Sequence, residues 1–305
     1  MKIAIVGLGA MGSIYAALFS AAGHDVAGID PNKAHIAAIN AGGLRVTGAS
    51  GDRLVRVKGV TTAPKEHFDH IVLAVKAAHV ESAATTLPDL IGETSTVLTI
   101  QNGLGSADLV AESIGERRLA VGIASSFGAS LVEPGHTHHN GMSMIKVGAY
   151  GSLPSESVND IVALWQAAGF SVEAANDIVA MQWEKLICNV AYSAPCTLTG
   201  LTVGEVMDDI DIGPLSRNAA QEAWNIAKAR GIAIAVDDPV AHVRAFGARI
   251  PNARPSMLQD HENGRRSEID VINGAIPREA AKAGLEAPVN AALTALVKFR
   301  ERDFV

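Results

Sequence analysis

Aromatic side chains make up only 4% of this 305-residue chain, and cysteine occurs twice. So few ring faces exclude a platform for single-stranded bases, which is built by stacking. Basic residues are also in the minority, 25 against 32 acidic, for a formal net charge of −7. Affinity for nucleic acid comes largely from cations that neutralise phosphates, so that class of partner is excluded as well. Two cysteines cannot supply a disulfide framework, and neither stands at zinc-ligand spacing from a histidine pair. Cys188 and Cys196 share one apolar segment and read as small buried hydrophobes of a reducing compartment. Charge is absent between Ile3 and Gly23, a gap long enough to mimic a signal peptide or a membrane span. Gly7, Gly9, Gly12, Ser13, Tyr15 and Ser20 interrupt that gap, and its glycines are better explained by a phosphate-binding turn. The expectation is a cytoplasmic protein with no membrane partner.

What is present is globular: 48% hydrophobic and 19% charged residues. The length exceeds what one core usually holds, so two domains are expected. The first half alternates strand and helix signals. Lys2–Val6 is a short β run, Gly12–Gly23 a helix, His24–Asp30 a strand and Asn32–Gly42 a helix. Leu44–Thr61 alternates like a solvated ribbon, while His70–Val75 and Thr96–Ile100 are continuous apolar runs typical of a parallel sheet covered on both faces. Ala120–Ser126 and Met144–Val147 read as further strands, with an antiparallel pairing open to them. After Asp177 the signals turn helical: Ile178–Thr199, Pro214–Arg230, Pro239–Phe246, Glu268–Ala283 and Asn290–Arg300. The reading is an α/β doubly wound domain over residues 1–176 and an all-α C-terminal domain over 177–305. Ligands are expected at the carboxyl ends of the parallel strands.

Gly7-Leu8-Gly9-Ala10-Met11-Gly12 follows the first strand and opens a helix. The first glycine permits a tight turn, the second lets a pyrophosphate approach the backbone, and the third allows close helix–strand packing. The helix N-terminus adds oriented N–H groups. Asp30 ends the next strand, where a carboxylate binds the adenine ribose hydroxyls. Together these predict a Rossmann-type dinucleotide site for NAD or NADP. Asp30 favours NAD because a 2′-phosphate there meets like charge, which Lys33 offsets in part. The bland alternative makes Asp30 a helix cap for the segment after Pro31.

In the helical half, Lys185, Asn189 and Ser193 fall at i, i+4 and i+8 in an otherwise apolar stretch, and so on one helix face. Such a stripe suits a helix that lines a cleft; the alternative is a lysine that snorkels to water at a helix edge. A second cluster runs from Arg254-Pro-Ser256 to Asp260 and from Glu268 through Asp270 and Asn273 to Gly274. Taken alone, Ser256 reads as a helix cap and the acidic residues as a solvated face. His136, His138 and His139 lie in a turn-rich, hairpin-like segment. No carboxylate pattern completes a metal site there, so a solvated loop and no metal are expected.

Along nearly its whole length the chain resembles the ketopantoate reductase family. The resemblance rests on Gly7–Gly12, Val75-Lys76, Gln101-Asn-Gly-Leu-Gly105, Trp183-Glu-Lys-Leu-Ile-Cys-Asn189, Pro255-Ser-Met-Leu-Gln-Asp260 and Glu268-Ile-Asp-Val-Ile-Asn-Gly274. It implies nicotinamide-dependent reduction of a small 2-oxo acid, without metal. Lys185 would be the general acid with Glu268 beside it, and Asn102 would lie near nicotinamide and substrate. Asn189 and Ser256 would hold the substrate's polar groups, and Lys76 would lie near the cofactor. Two departures stand out. Ser193 occupies the place where the family often has a second asparagine, and Asp30-Pro31-Asn32 replaces the Arg or Lys that often receives an NADP phosphate. Two other readings stay open: a β-hydroxyacid dehydrogenase-type enzyme, and a non-catalytic dinucleotide-binding redox sensor. The oligomeric state is also open, a homodimer included.

Overall fold

A computed structural model describes residues 1–125, 128–141 and 144–304. Ser126, the end of an expected strand, and Val305, the last residue of the expected second domain, lie outside the described residues. The chain forms two compact units. One holds Met1–Gln101 and Ser106–Ile178, the other Asn102–Gly105 and the chain from Val179 onward. Sequence order places Asn102–Gly105 among residues of the first half, yet these four pack with the second.

The strands of the first unit are β1 (Lys2–Val6), β2 (Asp25–Ile29), β3 (Leu44–Gly48), β4 (Arg53–Val55), β5 (Lys58–Val60), β6 (Phe68–Leu73), β7 (Ile91–Thr99), β8 (Leu119–Ser125), β9 (Gly128–Glu133), β10 (His136–Gly141), β11 (Met144–Ala149) and β12 (Val172–Ala174). Its helices are α1 (Ala10–Ala21), α2 (Lys33–Gly42), α3 (Val80–Ala84), α4 (Ser106–Ile114) and α5 (Ser155–Ala167). Eight strands make one sheet in the order β12-β11-β8-β7-β6-β1-β2-β5. From β5 to β8 all neighbours are parallel, and β11 returns antiparallel to β8. Ile3, Ala4 and Ile5 of β1 and Ile71, Val72 and Leu73 of β6 are wholly buried on both faces, as parallel strands under helices must be. The chain proceeds from β1 to β2 on one side and from β6 to β7 on the other. The switch point of the sheet therefore falls between β1 and β6.

The scarce aromatics are concentrated under α1. Tyr15 and Phe19, one turn apart, pack edge-on against Trp165 at 5.2 and 5.1 Å, and Phe170 lies 4.6 Å from Trp165. Each such pair adds about 0.5–1.5 kcal/mol beyond its burial, which anchors the helix that follows the glycine turn.

Two sequence readings need correction here. The stretch Leu44–Thr61 is no solvated ribbon: β3 and β4 join β10 and β9 in a second, four-stranded sheet of order β4-β3-β10-β9, and β5 edges the main sheet. Leu44 and Val46 are fully buried beneath it. The histidine segment is correspondingly an interior strand, β10, and no loop. Thr137 and His139 face inward, while His136 and His138 both hydrogen-bond the Thr47 hydroxyl at 3.1 Å. Period-2 alternation reports only that one face is wet, and a second layer on the other face is invisible to it.

The second unit is helical: α6 (Ile178–Thr199), which begins at the end of the first unit, then α7 (Val203–Asp208), α8 (Ile212–Ala229), α9 (Pro239–Arg249), α10 (Ser256–Glu262), α11 (Ala275–Lys282) and α12 (Pro288–Arg300). Pro195 lies inside α6 and has no N–H for the Ala191 carbonyl; the Ser216 hydroxyl of α8 donates to that carbonyl instead, at 2.6 Å. The expected helix over Glu268–Ala283 is broken into a 3₁₀ turn at Ile269–Val271 and α11. The break has a cause: the Val271 carbonyl accepts from the Leu104 N–H at 2.9 Å. Asn273, read as part of a solvated face, is fully buried and donates to the Val190 carbonyl and to Asn290 Oδ1, both at 3.0 Å.

Among the described residues no helix is long and apolar enough to cross a membrane. The uncharged stretch Ile3–Gly23 becomes β1, a turn and the twelve-residue α1.

Candidate active site

The expected site residues fall into two groups, one in each unit. In the first unit, the turn after β1 has the shape that a dinucleotide loop requires. Gly7 adopts φ +97°, and a Cβ there would lie 2.7 Å from the Val75 backbone nitrogen, so only glycine fits. On Gly12 a Cβ would meet the Gly7 carbonyl oxygen at 1.8 Å, which is why α1 can start so close to β1. Around Gly9, by contrast, nothing lies within 4 Å of an added Cβ. This open cradle beside the first, internally unpaired N–H groups of α1, at Ala10, Met11 and Gly12, fits a pyrophosphate.

Asp30 is oriented by the same turn. Its Oδ2 accepts from the Leu8 N–H at 2.8 Å and its Oδ1 from the Asn32 N–H at 2.9 Å. Each oxygen keeps lone-pair capacity for a ribose hydroxyl. The bland cap reading does not hold: Asn32 caps α2, its side chain accepting from the His35 N–H. Gly28, not singled out from the sequence, supports the loop from β2. A Cβ there would fall 2.2 Å from Leu8 Cδ1, and a glycine inside a strand pattern was its one signal. Lys76 is exposed just past β6, capping the 3₁₀ turn Ala77–His79. Nearby, the Gln101 amide donates to the Leu73 and Val75 carbonyls at 2.8 and 3.0 Å and closes the turn that backs Gly7.

In the second unit Lys185, Asn189 and Ser193 share one face of α6, and that face lines a pocket with Asn102 and Ser256. The pocket has a cavity volume of about 140 Å³ and opens to solvent. Ser256 is the first residue of α10 and Pro255 holds the cap position, so Ser256 is not the helix cap. The Lys185 ammonium donates to Asn102 Oδ1 at 3.0 Å, and Asn102 Nδ2 donates to Glu268 Oε2 at 3.2 Å. Burial pulls the lysine pKa down to about 8, and the Glu268 carboxylate opposes that fall. The result is a cation able to give up a proton near neutral pH.

Asn102 reaches this group because its loop is clamped to the 3₁₀ turn after Glu268. Gly103, at φ +77°, packs so tightly on Val271 that a Cβ would lie 2.0 Å from the Val271 oxygen. The rest of the pocket is apolar: Val203, Phe246 and Ile250 line it, with the ring of Tyr192 stacked on Phe246 at 6.2 Å. The Tyr192 hydroxyl is turned away, donating to the Val243 carbonyl at 2.7 Å. Sequence reasoning missed this wall, because apolar residues on three helices carry no sign that they face a ligand. Cys188 and Cys196 are both free and buried. Among the described residues no group of three or more His, Cys, Asp or Glu is placed to hold a metal ion.

Comparison with known proteins adds to this geometry. A family model described as ketopantoate reductase PanE/ApbA matches residues 3–152, and its C-terminal counterpart matches residues 177–301. A 2-dehydropantoate 2-reductase of Pyrococcus horikoshii is 32% identical over 301 residues, which span 99% of this chain and 98% of that protein. One of Archaeoglobus fulgidus is 30% identical over 297 residues, 97% of each. Among solved structures, a PanE/ApbA family ketopantoate reductase from Ralstonia eutropha gives a TM-score of 0.88 at 31% identity, over 99% of this chain and 98% of that one. A D-mandelate dehydrogenase with NADH and anilino(oxo)acetate gives 0.91 at 26% identity, over 100% and 99%.

Proposed function

Because the chain belongs to the ketopantoate reductase family, we propose that it is an oxidoreductase that reduces a 2-oxo acid to the 2-hydroxy acid with a nicotinamide dinucleotide. The observation that carries this reading is the Lys185–Asn102–Glu268 chain at a pocket that also presents Asn189, Ser193 and Ser256. A 2-oxo carbonyl that accepts a hydride at C2 becomes an alkoxide, which needs a positive field and then a proton. Lys185 supplies both to the carbonyl oxygen. Glu268 keeps the lysine charged by acting against its burial, and Asn102 spaces the two groups. Asn189, Ser193 and Ser256 hold the substrate's carboxylate and other polar atoms.

The dinucleotide, whose dihydronicotinamide supplies the hydride, would be held by Gly7, Leu8, Gly9, Ala10, Met11, Gly12 and Asp30, with Lys76 and Asn102 nearby. NAD(H) is the preferred form. In support, the Asp30 carboxylate is fixed by two backbone N–H groups and repels a 2′-phosphate, and the D-mandelate dehydrogenase of the same fold is named with NADH. Ketopantoate is one candidate substrate, and an α-oxo acid without its hydroxyl is another. The test is oxidation of NADH and NADPH with a panel of 2-oxo acids. Turnover of one or more is expected. Tight dinucleotide binding with no turnover of any 2-oxo acid would replace the enzyme reading with the redox-sensor reading.

A further inference from the structure

The glycine turn is held from beneath by a chain of buried hydrogen bonds that neither the motif nor the pocket uses. Ser13 Oγ lies 3.0 Å from the Leu8 carbonyl oxygen and 3.3 Å from His35 Nε2. On the far side of the ring, the Gly135 N–H donates to His35 Nδ1 at 3.0 Å. A neutral imidazole that accepts at Nδ1 carries its proton at Nε2, so the order of the chain follows. Gly135 donates to His35, His35 donates to Ser13, and Ser13 donates to Leu8. Both side chains are sealed from solvent, Ser13 at 0% and His35 at 1% exposure. Burial also lowers the His35 pKa, against the pull of Asp30, which agrees with a neutral ring.

Leu8 is the residue whose N–H orients Asp30, so both polar groups of its backbone are committed: the N–H to the carboxylate, the carbonyl to Ser13. Gly135 forms the turn between β9 and β10, and its carbonyl in turn accepts from the Arg45 N–H of β3 at 2.8 Å. The second sheet therefore reaches the glycine loop through one histidine. This gives the histidine-rich segment a part to play through the turn that opens it, without any metal.

We propose that Ser13 and His35 are positioning residues for dinucleotide binding: they fix the rotation of the Leu8 backbone, and with it the Gly9 cradle and the Asp30 carboxylate. The proposal rests on reading Gly7–Gly12 as the dinucleotide loop. Removing either side chain leaves buried donors and acceptors unpaired at that backbone, and the loop relaxes to pair them elsewhere. The experiment is titration of NADH by fluorescence, with steady-state kinetics, on Ser13→Ala, His35→Leu and His35→Gln. The glutamine amide offers an acceptor and a donor at nearly the spacing of Nδ1 and Nε2, so it can replace the ring. For Ser13→Ala and His35→Leu the Kd for NADH should rise about tenfold, with kcat at saturating cofactor within about twofold. His35→Gln should stay within about threefold of the unaltered protein in Kd. A merely structural role would lower kcat and stability without that split. Binding by Ser13→Ala that matches the unaltered protein would overturn the proposal, as would equal weakening by His35→Leu and His35→Gln. Should His35→Leu fail to fold, Ser13→Ala against His35→Gln decides alone. No binding of NADH or NADPH by the unaltered protein would bring down the loop reading and the proposal together.

Discussion

The proton donor is open to a sharp test through pH. Burial holds Lys185 at about 8, well below the ordinary 10.5, so its charged fraction changes where the enzyme is easily assayed. With Lys185 as the acid proposed above, reduction needs its ammonium form. With a pKa near 8 that form is about nine-tenths of the protein at pH 7, half at pH 8 and about a tenth at pH 9. The rate of 2-oxo acid reduction, as kcat/KM at saturating NADH, should therefore fall about ninefold to tenfold between pH 7 and pH 9. An unperturbed lysine would lose only a few per cent over that range. Lys185→Ala should lower kcat by roughly 10²-fold or more at pH 7, with little change in NADH affinity. Lys185→Arg keeps its charge throughout, so whatever activity it retains should show no fall up to pH 9. Glu268→Gln removes the carboxylate that raises the lysine pKa, and should move the alkaline fall to lower pH. A rate flat to pH 9.5 in the unaltered enzyme, or full kcat in Lys185→Ala, would refute the assignment.

Asp30→Ala should lower kcat/KM for NADH about tenfold and leave that for NADPH unchanged or higher; a tenfold preference for NADPH in the unaltered enzyme would refute the Asp30 reasoning. Serine at position 193 is shorter than an amide and donates once, so ketopantoate should be preferred over 2-oxoisovalerate by less than about 10³, a ratio that Ser193→Asn should raise. A ratio above that in the unaltered enzyme would show that the substrate hydroxyl is read without an amide there. His70 is wholly buried, with Nε2 accepting from the Trp165 N–H at 3.1 Å and Nδ1 at 2.8 Å from the Thr96 hydroxyl; burial lowers its pKa from 6.5 to about 3. Its folded pKa lies below its unfolded one, so its share of stability is whole above pH 6.5 and drains away as pH falls toward 3, about 2 kcal/mol by pH 5. Urea titrations at pH 8 and pH 5 should show that loss in the unaltered protein and not in His70→Gln; equal losses would refute it.

The parts of this fold that announced themselves in sequence are those governed by neighbours in the chain. β1, the glycine turn and α1 follow from a six-residue motif: Gly12 packs on the Gly7 carbonyl of the same unit, although the backbone that makes Gly7 obligatory, at Val75, follows β6. The polar stripe of α6 was legible because i, i+4 spacing is a property of one helix. The second sheet was not. Its order β4-β3-β10-β9 joins segments about ninety residues apart, with β10 pairing parallel to β3, and nothing in either stretch names the other.

The same distinction explains the pocket. Lys185, Asn189 and Ser193 could be placed together by periodicity, but Asn102 is 83 residues from Lys185 and Glu268 is 166 from Asn102. Those two came from the family resemblance, not from spacing. What joins them is backbone geometry: Gly103 in a left-handed conformation, the Leu104 N–H on the Val271 carbonyl, and a helix that stops so that this carbonyl is free to accept. Periodicity argued for one helix through Glu268–Ala283, since the apolar pattern continues across the break. The break was decided by a hydrogen bond from a loop a hundred and sixty-odd residues earlier in the chain. A continuous helix would have kept the Val271 carbonyl for its own ladder, and Leu104 would then have had no acceptor there. Asn102 would no longer be held between the lysine and the carboxylate. The irregular turn at Ile269–Val271 is thus the feature on which the candidate proton donor's surroundings depend.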